Sequence, residues 1–188
     1  TSQYYQIMTR VVRKTDRNTL LTFGMNFGYN GLTYGAEKIR EFEAKEGFNV
    51  PWLFMIALSN DAPLDAQALD RLIFQGTEMG ICTYVLMPDP DYEKLDRLAE
   101  ALAKHPDCAF LLMASAEAVM EGNLPEILHD LKHVLVGLDI VHGAPGQIAD
   151  ATAELRKAGM LCAAFYPASE EHLNMENAAQ LAASFEYE

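Results

Sequence analysis

Short apolar segments alternate with longer amphipathic segments along most of this chain. The apolar segments are continuous rather than alternating apolar and polar, which is typical of parallel strands that are covered on both faces. In the third long segment Leu95, Leu98 and Leu102 fall on one stripe with charged residues opposite, the pattern of a helix packed on a sheet. The predicted strands are residues 20–23, 52–58, 79–87, 108–113, 133–140 and 161–166. The predicted helices are residues 34–46, 65–75, 91–104, 115–130, 145–158 and 175–185.

Residues with special backbone preferences stand near several of these boundaries. Asp65 and Ser115 are suited to cap the first turn of a helix, and Pro145 is suited to a first helical position. Gly76 and Gly159 each follow a helical segment, where a left-handed residue is favoured. The segment boundaries therefore agree with the apolar pattern.

This order of segments predicts an α/β fold with crossover helices. Six β/α units in 188 residues fit an irregular (β/α) barrel of about six or seven parallel strands, and a doubly wound parallel sheet is the alternative. The spacing of apolar residues does not distinguish the barrel from the doubly wound sheet. We predict a lead-in segment over residues 1–18 and a single domain over residues 19–188.

The charge of the chain limits the classes of molecule that we expect it to bind. The 27 acidic and 14 basic residues give a formal charge of -13, which repels polyanions and lacks the basic surface that phosphate contacts require. Nucleic acid is therefore not an expected partner, whereas a glycan or a protein is compatible with this charge. No apolar run reaches the length of about 18 residues that a membrane span needs. The oligomeric state is not determined by the sequence.

The three cysteines, Cys82, Cys108 and Cys162, lie in apolar segments and form no CxxC pair. Free Cys behaves as a small core residue, so we expect three buried free thiols rather than a disulfide. Free thiols are compatible with a cytoplasmic protein.

Polar residues that follow the predicted strands are the candidates for a site, because ligands of α/β proteins bind where the strands end. Asp139 and His142 form the best constellation, since a carboxylate can orient an imidazole for acid–base work. A structural Asp beside an exposed His is the alternative interpretation. Tyr29, Tyr84 and Tyr166 are candidates for stacking on sugar rings, with core packing as the alternative.

Two segments resemble motifs of the polysaccharide deacetylase superfamily, in its divergent bacterial branch. Residues 25–29 read Met-Asn-Phe-Gly-Tyr, where the family reads Asp-Asp-Phe-Gly-Tyr. Residues 76–78 read Gly-Thr-Glu, where the family reads Gly-His-Glu, and the later metal-binding His falls on Cys82. Asp139 matches an Asp that the family places at a strand end. The resemblance covers residues 19–185.

This resemblance implies a deacetylase-like domain that has lost its metal-dependent reaction. Met25 and Asn26 replace the catalytic and metal-binding aspartates, and zinc hydrolases use about three protein ligands. We therefore expect no metal, no cofactor and an inactive domain that binds a glycan or serves as a scaffold in polysaccharide synthesis, modification or export. The resemblance also implies that the protein is periplasmic or otherwise extracytoplasmic. The expected ligand-binding residues are Asn26, Tyr29, Tyr84, Asp139 and Tyr166.

Two other functions are compatible with the same residues. The first is a metal-independent lyase or hydrolase for a small molecule, with Asp139, His142 and Glu78 as the catalytic candidates. The second is a purely structural protein-interaction domain.

Overall fold

Five parallel strands form the central sheet of the computed structural model, which describes residues 9, 11–61 and 64–166. The strands are adjacent in the order in which they occur along the chain, β1-β2-β3-β4-β5. All four neighbouring pairs are parallel. The strands are β1 Phe54–Leu58, β2 Thr83–Pro88, β3 Ala109–Ala114, β4 Val134–Asp139 and β5 Leu161–Phe165.

A long helix precedes the sheet and changes its winding in the middle. Helix α1 spans Arg17–Gly24, a π-helix spans Met25–Gly35, and helix α2 spans Ala36–Glu46. The residues at both junctions keep right-handed helical dihedral angles, so the three parts form one continuous helix. The left-handed conformation of Gly47, with φ of 79°, ends it.

The π-helix is 11 residues long, whereas most π-helical segments are single turns inside α-helices. The hydroxyl of Thr33 donates to the Gly28 carbonyl oxygen, five residues earlier, at 3.2 Å. The Asn30 side-chain amide donates to the Asn26 side-chain oxygen at 3.3 Å. Side chains within the segment thus supply hydrogen bonds that suit its wider winding.

Five shorter helices follow in the crossovers between strands. Asp65 and Ser115 cap two of them, accepting the N–H groups of Ala68 and Ala118 as the sequence predicted. Pro145 occupies the first position of the last one. The helices are α3 Ala66–Met79, α4 Leu95–Leu102, α5 Ala116–Met120, α6 Leu124–Ile127 and α7 Pro145–Lys157.

The two faces of the sheet belong to different apolar clusters. Phe110 and Leu112 of β3 lie in the main core, which includes buried residues of α3, α4, α5 and α7. Ala109 and Leu111, which alternate with them, lie in a smaller cluster with Phe23 of the long helix. Since successive strand residues point to opposite faces, the crossover helices cover one face and the first half of the long helix packs on the other. Ile39, in the second half of the long helix, belongs to the main core.

The long helix approaches the sheet through glycines. A Cβ added to Gly31 would lie 2.7 Å from the hydroxyl oxygen of Thr83, and one added to Gly35 would collide with the Gly80 carbonyl oxygen. Gly80 itself has φ of 101° and follows α3 as its left-handed cap. Glycine at these positions therefore permits a backbone contact that a side chain would prevent.

Several sequence-based expectations are corrected here. Residues 20–23, predicted as the first strand, lie in α1. Gly76 does not end a helix, because α3 continues to Met79, whereas Gly159 does have the expected positive φ of 69°. The predicted helix over residues 115–130 is divided into α5 and α6, with Asn123 in a left-handed conformation between them.

The α/β class and the parallel sheet with helices are confirmed. The described residues contain five strands rather than six or seven, and no pairing of β1 with β5 is found within 9, 11–61 and 64–166. Helices on both faces are consistent with an open, doubly wound type of sheet. The predicted helix over residues 175–185 and most of the lead-in over 1–18 lie outside the described residues.

His133 is buried directly before β4, and its pKa is lowered mainly because burial disfavours the charged ring. Its Nε2 lies 3.1 Å from the Leu102 carbonyl oxygen, and its ring packs on Phe110 with centroids 5.5 Å apart. The core therefore holds a neutral imidazole.

We expect Gly35→Ala to destabilise the protein by about 1–3 kcal/mol, the usual cost of forcing atoms into a packed site. The matched control is Gly28→Ala, because a Cβ at Gly28 meets no atom within 4 Å and Ala is the better helix former. Urea unfolding followed by circular dichroism measures both. Equal stabilities of the two variants would contradict the close contact.

We expect His133 to make stability depend on pH near neutrality. Its pKa is lower in the folded than in the unfolded state, so the unfolded state binds more protons as the pH falls through about 6.5 and below, and stability falls with it. His133→Gln keeps a donor for the Leu102 carbonyl oxygen and should weaken this dependence. Urea unfolding between neutral and mildly acidic pH measures it, with exposed His129→Gln as the control. An unchanged pH dependence in His133→Gln would refute the assignment.

Candidate functional site

The carboxyl edge of the sheet, where the five strands end, carries a carboxylate–imidazole pair. Asp139 is the last residue of β4, and its Oδ2 lies 2.8 Å from Nδ1 of His142. Its Oδ1 accepts the backbone N–H groups of Val141 and His142 at 2.8 and 3.0 Å. The turn after β4 thus fixes the carboxylate on both oxygens and holds the ring against it.

The two members of this pair differ in exposure. The Asp139 side chain is 16% exposed and that of His142 is 69% exposed. A neutral imidazole that donates from Nδ1 to a carboxylate leaves Nε2 as a proton acceptor. The ring of His142 therefore lies at the surface of the carboxyl edge, with Nδ1 against the carboxylate.

A cavity of about 160 Å³ adjoins Asp139. Its walls are mostly apolar, and Asp89 and Asp139 are the acidic residues in it. Burial raises the pKa of Tyr92, which keeps this hydroxyl protonated. None of the described residues that line it is basic. Other lining residues are Met87, Pro88, Tyr92, Met113, Ser115 and Phe165.

Asn26 lies at the opposite, amino edge of the sheet, where the strands begin. Its side-chain amide donates to the carbonyl oxygens of Pro106 and Cys108 at 2.6 and 2.7 Å. Asn30, one turn later, donates to the Asp107 carbonyl oxygen at 2.9 Å. The side-chain amide of Asn26 therefore joins the long helix to the segment that leads into β3, rather than facing a ligand.

Three other predicted site residues are also placed away from Asp139. Tyr84 is fully buried, and its hydroxyl donates towards the carbonyl oxygens of Ile73 and Ile81 at 3.2 and 3.0 Å, so it offers no surface to a ligand. Tyr29 and Glu78 are exposed and line a second cavity, of about 530 Å³, at the amino edge.

Tyr166 directly follows β5, at the carboxyl edge, and is partly buried against the main core. Of the predicted residues, the structure brings Asp139 and His142 into contact and places Tyr166 at the same edge. Sequence reasoning missed Met113 and Phe165 as lining residues, because apolar residues at strand ends carry no signal that separates a cavity wall from a core.

The two segments that resemble deacetylase motifs are helical. Residues 25–29 lie in the π-helix and residues 76–78 in α3, so neither follows a strand. Asp139 does end a strand, as that resemblance implies. Comparison with protein-family models, with curated proteins and with solved structures finds no match to this chain.

Within the part of the chain that the structure describes, no three His, Cys, Asp or Glu side chains are grouped so that they could hold a metal ion. No helix in the same residues has the length and apolar character needed to cross a membrane.

We expect Asn26→Ala to destabilise the protein by about 2 kcal/mol or more, because it leaves two carbonyl oxygens without their donor. Met25→Ala is the matched control: Met25 precedes it in the π-helix and is 55% exposed, so the change should stay within about 0.5 kcal/mol. Urea unfolding measures both variants. A loss below about 0.5 kcal/mol for Asn26→Ala would contradict a structural role.

Proposed function

We propose that the carboxyl edge is an acid–base active site for a small molecule, with His142 as the proton-transferring residue. The observation that carries this proposal is the 2.8 Å contact between Asp139 Oδ2 and His142 Nδ1. Asp139 lines the cavity, and His142, which is not one of its lining residues, stands on the solvent side of Asp139. Carboxylates in this position hold an imidazole in one tautomer and stabilise its protonated form. Lyases and hydrolases are among the reaction classes that use such a pair.

The residues have separate roles in this proposal. Nε2 of His142 accepts a proton from the substrate or from water, and returns it to the leaving group. Asp139 does not move, because two backbone N–H groups hold its Oδ1. Tyr92, whose hydroxyl stays protonated, is a hydrogen-bond donor for the substrate at the cavity wall.

The charge of the cavity favours a neutral or cationic substrate. Asp89 and Asp139 line it, and its described lining offers no basic side chain to pair with an anion. Its volume of about 160 Å³ is below the range of about 300–1,000 Å³ that is typical for drug-sized ligands. The substrate is therefore a small molecule or the end group of a longer chain.

The inactive, glycan-binding deacetylase-like domain remains a second prediction, and it uses the same edge. In that case Asp139 and Tyr166 would bind a sugar unit and His142 would have no role in turnover. This second prediction includes a (β/α) barrel of six or seven strands. The strand order favours such a barrel, because the strands of (β/α) barrels are also adjacent in the order in which they occur along the chain.

A substrate screen with matched variants tests the proposal. Neutral and cationic esters, amides and hydroxy compounds are offered to the protein, and turnover is followed by NMR. We expect His142→Ala and Asp139→Asn each to lower turnover by about 10²–10⁴-fold, with unfolding unchanged. His129→Ala is the control, because His129 also pairs with an aspartate, Asp130, but on the open surface.

Turnover that survives His142→Ala would refute the acid–base assignment. If no compound is turned over but oligosaccharides shift the NMR signals of residues at the carboxyl edge, the glycan-binding prediction replaces it.

A further inference from the structure

Two cysteines are neighbours at the amino edge, far along the strands from Asp139. Cys82 directly precedes β2 and Cys108 directly precedes β3. The next residues, Thr83 and Ala109, are register partners, and Ala109 N–H donates to the Cys82 carbonyl oxygen at 2.8 Å. Adjacent strands lie about 4.8 Å apart, which is within the Cα separation that a disulfide spans.

Both cysteine side chains point to the same face of the sheet. Strand residues alternate between faces, so Cys82 shares a face with Tyr84, and Cys108 with Phe110. Tyr84 and Phe110 are stacked with ring centroids 5.6 Å apart, and both belong to the main core. The two thiols are therefore side by side at the end of that core.

The thiols differ in access. Cys108 is 1% exposed, whereas Cys82 is partly exposed, and both line the cavity of about 530 Å³. A hydrogen bond from Cys108 and the charge of Lys38 lower the pKa of Cys82, against the opposing effect of its burial. The same hydrogen bond and its own burial raise the pKa of Cys108. Cys82 is thus the accessible member with the stronger thiolate character.

We propose that Cys82 and Cys108 form a redox dithiol that exchanges with low-molecular-weight disulfides in the amino-edge cavity. The Cys82 thiolate attacks one sulfur of the disulfide, forming a mixed disulfide and releasing one small thiol. Cys108 then loses its proton and attacks the Cys82 sulfur, forming the Cys82–Cys108 disulfide and releasing the second small thiol. The protein loses two electrons and two protons, and one small disulfide becomes two thiols.

The surroundings of the pair suit this exchange. The cavity volume of about 530 Å³ lies within the range of about 300–1,000 Å³ that is typical for small-molecule sites. Lys38, whose ammonium group donates to the Thr77 carbonyl oxygen at 3.0 Å, is held beside it. Asn26 fixes the main chain of Cys108 through its carbonyl oxygen. Attack by Cys108 therefore needs rotation of side chains and no movement of the strands.

Wild-type protein and oxidised glutathione provide the first test. The protein is equilibrated in buffers of different glutathione potential, its free thiols are alkylated, and peptides are mapped by mass spectrometry. We expect a Cys82–Cys108 disulfide to form in a two-electron transition while Cys162, whose pKa burial raises, remains a free thiol. At short times we expect Cys82 to be alkylated at least about tenfold faster than Cys162.

Variants separate the two roles. Cys108→Ala should stop at the glutathione adduct on Cys82, Cys82→Ala should form neither product, and the control Cys162→Ala should still form the disulfide. Circular dichroism checks that each variant is folded, and the wild-type mapping stands without them. Stable glutathione adducts on wild-type Cys82 with Cys108 still free, or equal alkylation rates for Cys82 and Cys162, would overturn the proposal.

Discussion

The contact between the long helix and the amino edge of the sheet determines much of this structure. A parallel sheet needs cover on both faces, and crossover helices that all lie on one face leave the other exposed. Here Gly31 and Gly35 bring the helix backbone against Thr83 and Gly80, closer than any side chain would permit. The buried hydroxyl of Thr83 has no hydrogen-bond partner in this contact. The close packing therefore leaves one buried polar group unsatisfied, which opposes part of the stability gained by the packing.

The same contact organises the amino edge. Once the helix is in place, the side-chain amides of Asn26 and Asn30 reach the carbonyl oxygens of residues 106–108 and fix the segment that leads into β3. That segment carries Cys108, and α2 of the same helix brings Lys38 to Cys82. The carboxyl edge is built differently, because the Asp139–His142 pair is local to one turn after β4. The two edges can therefore carry separate chemistry.

The sequence predicts the secondary structure correctly where a segment is long or where capping residues mark its ends. Five of the six apolar segments are strands, and the caps at Asp65 and Ser115 are present. The prediction of a strand over residues 20–23 is wrong because a short apolar run suits a strand or a buried helix equally well. Cys82 and Cys108 lie side by side because β2 and β3 are neighbours. Their spacing in the sequence does not predict this, since it depends on the register of the two strands.

Residues 25–29 are helical, and this changes what can be inferred about activity from Met25 and Asn26. The inference that a metal-dependent reaction is lost requires these residues to stand at a strand end, in place of two aspartates. In the structure they are helical, at the amino edge, where Asn26 has a structural task. Their identity therefore carries no information about chemistry at the carboxyl edge. The question of activity depends instead on Asp139 and His142, whose geometry is set by the end of β4 and by the turn that follows it.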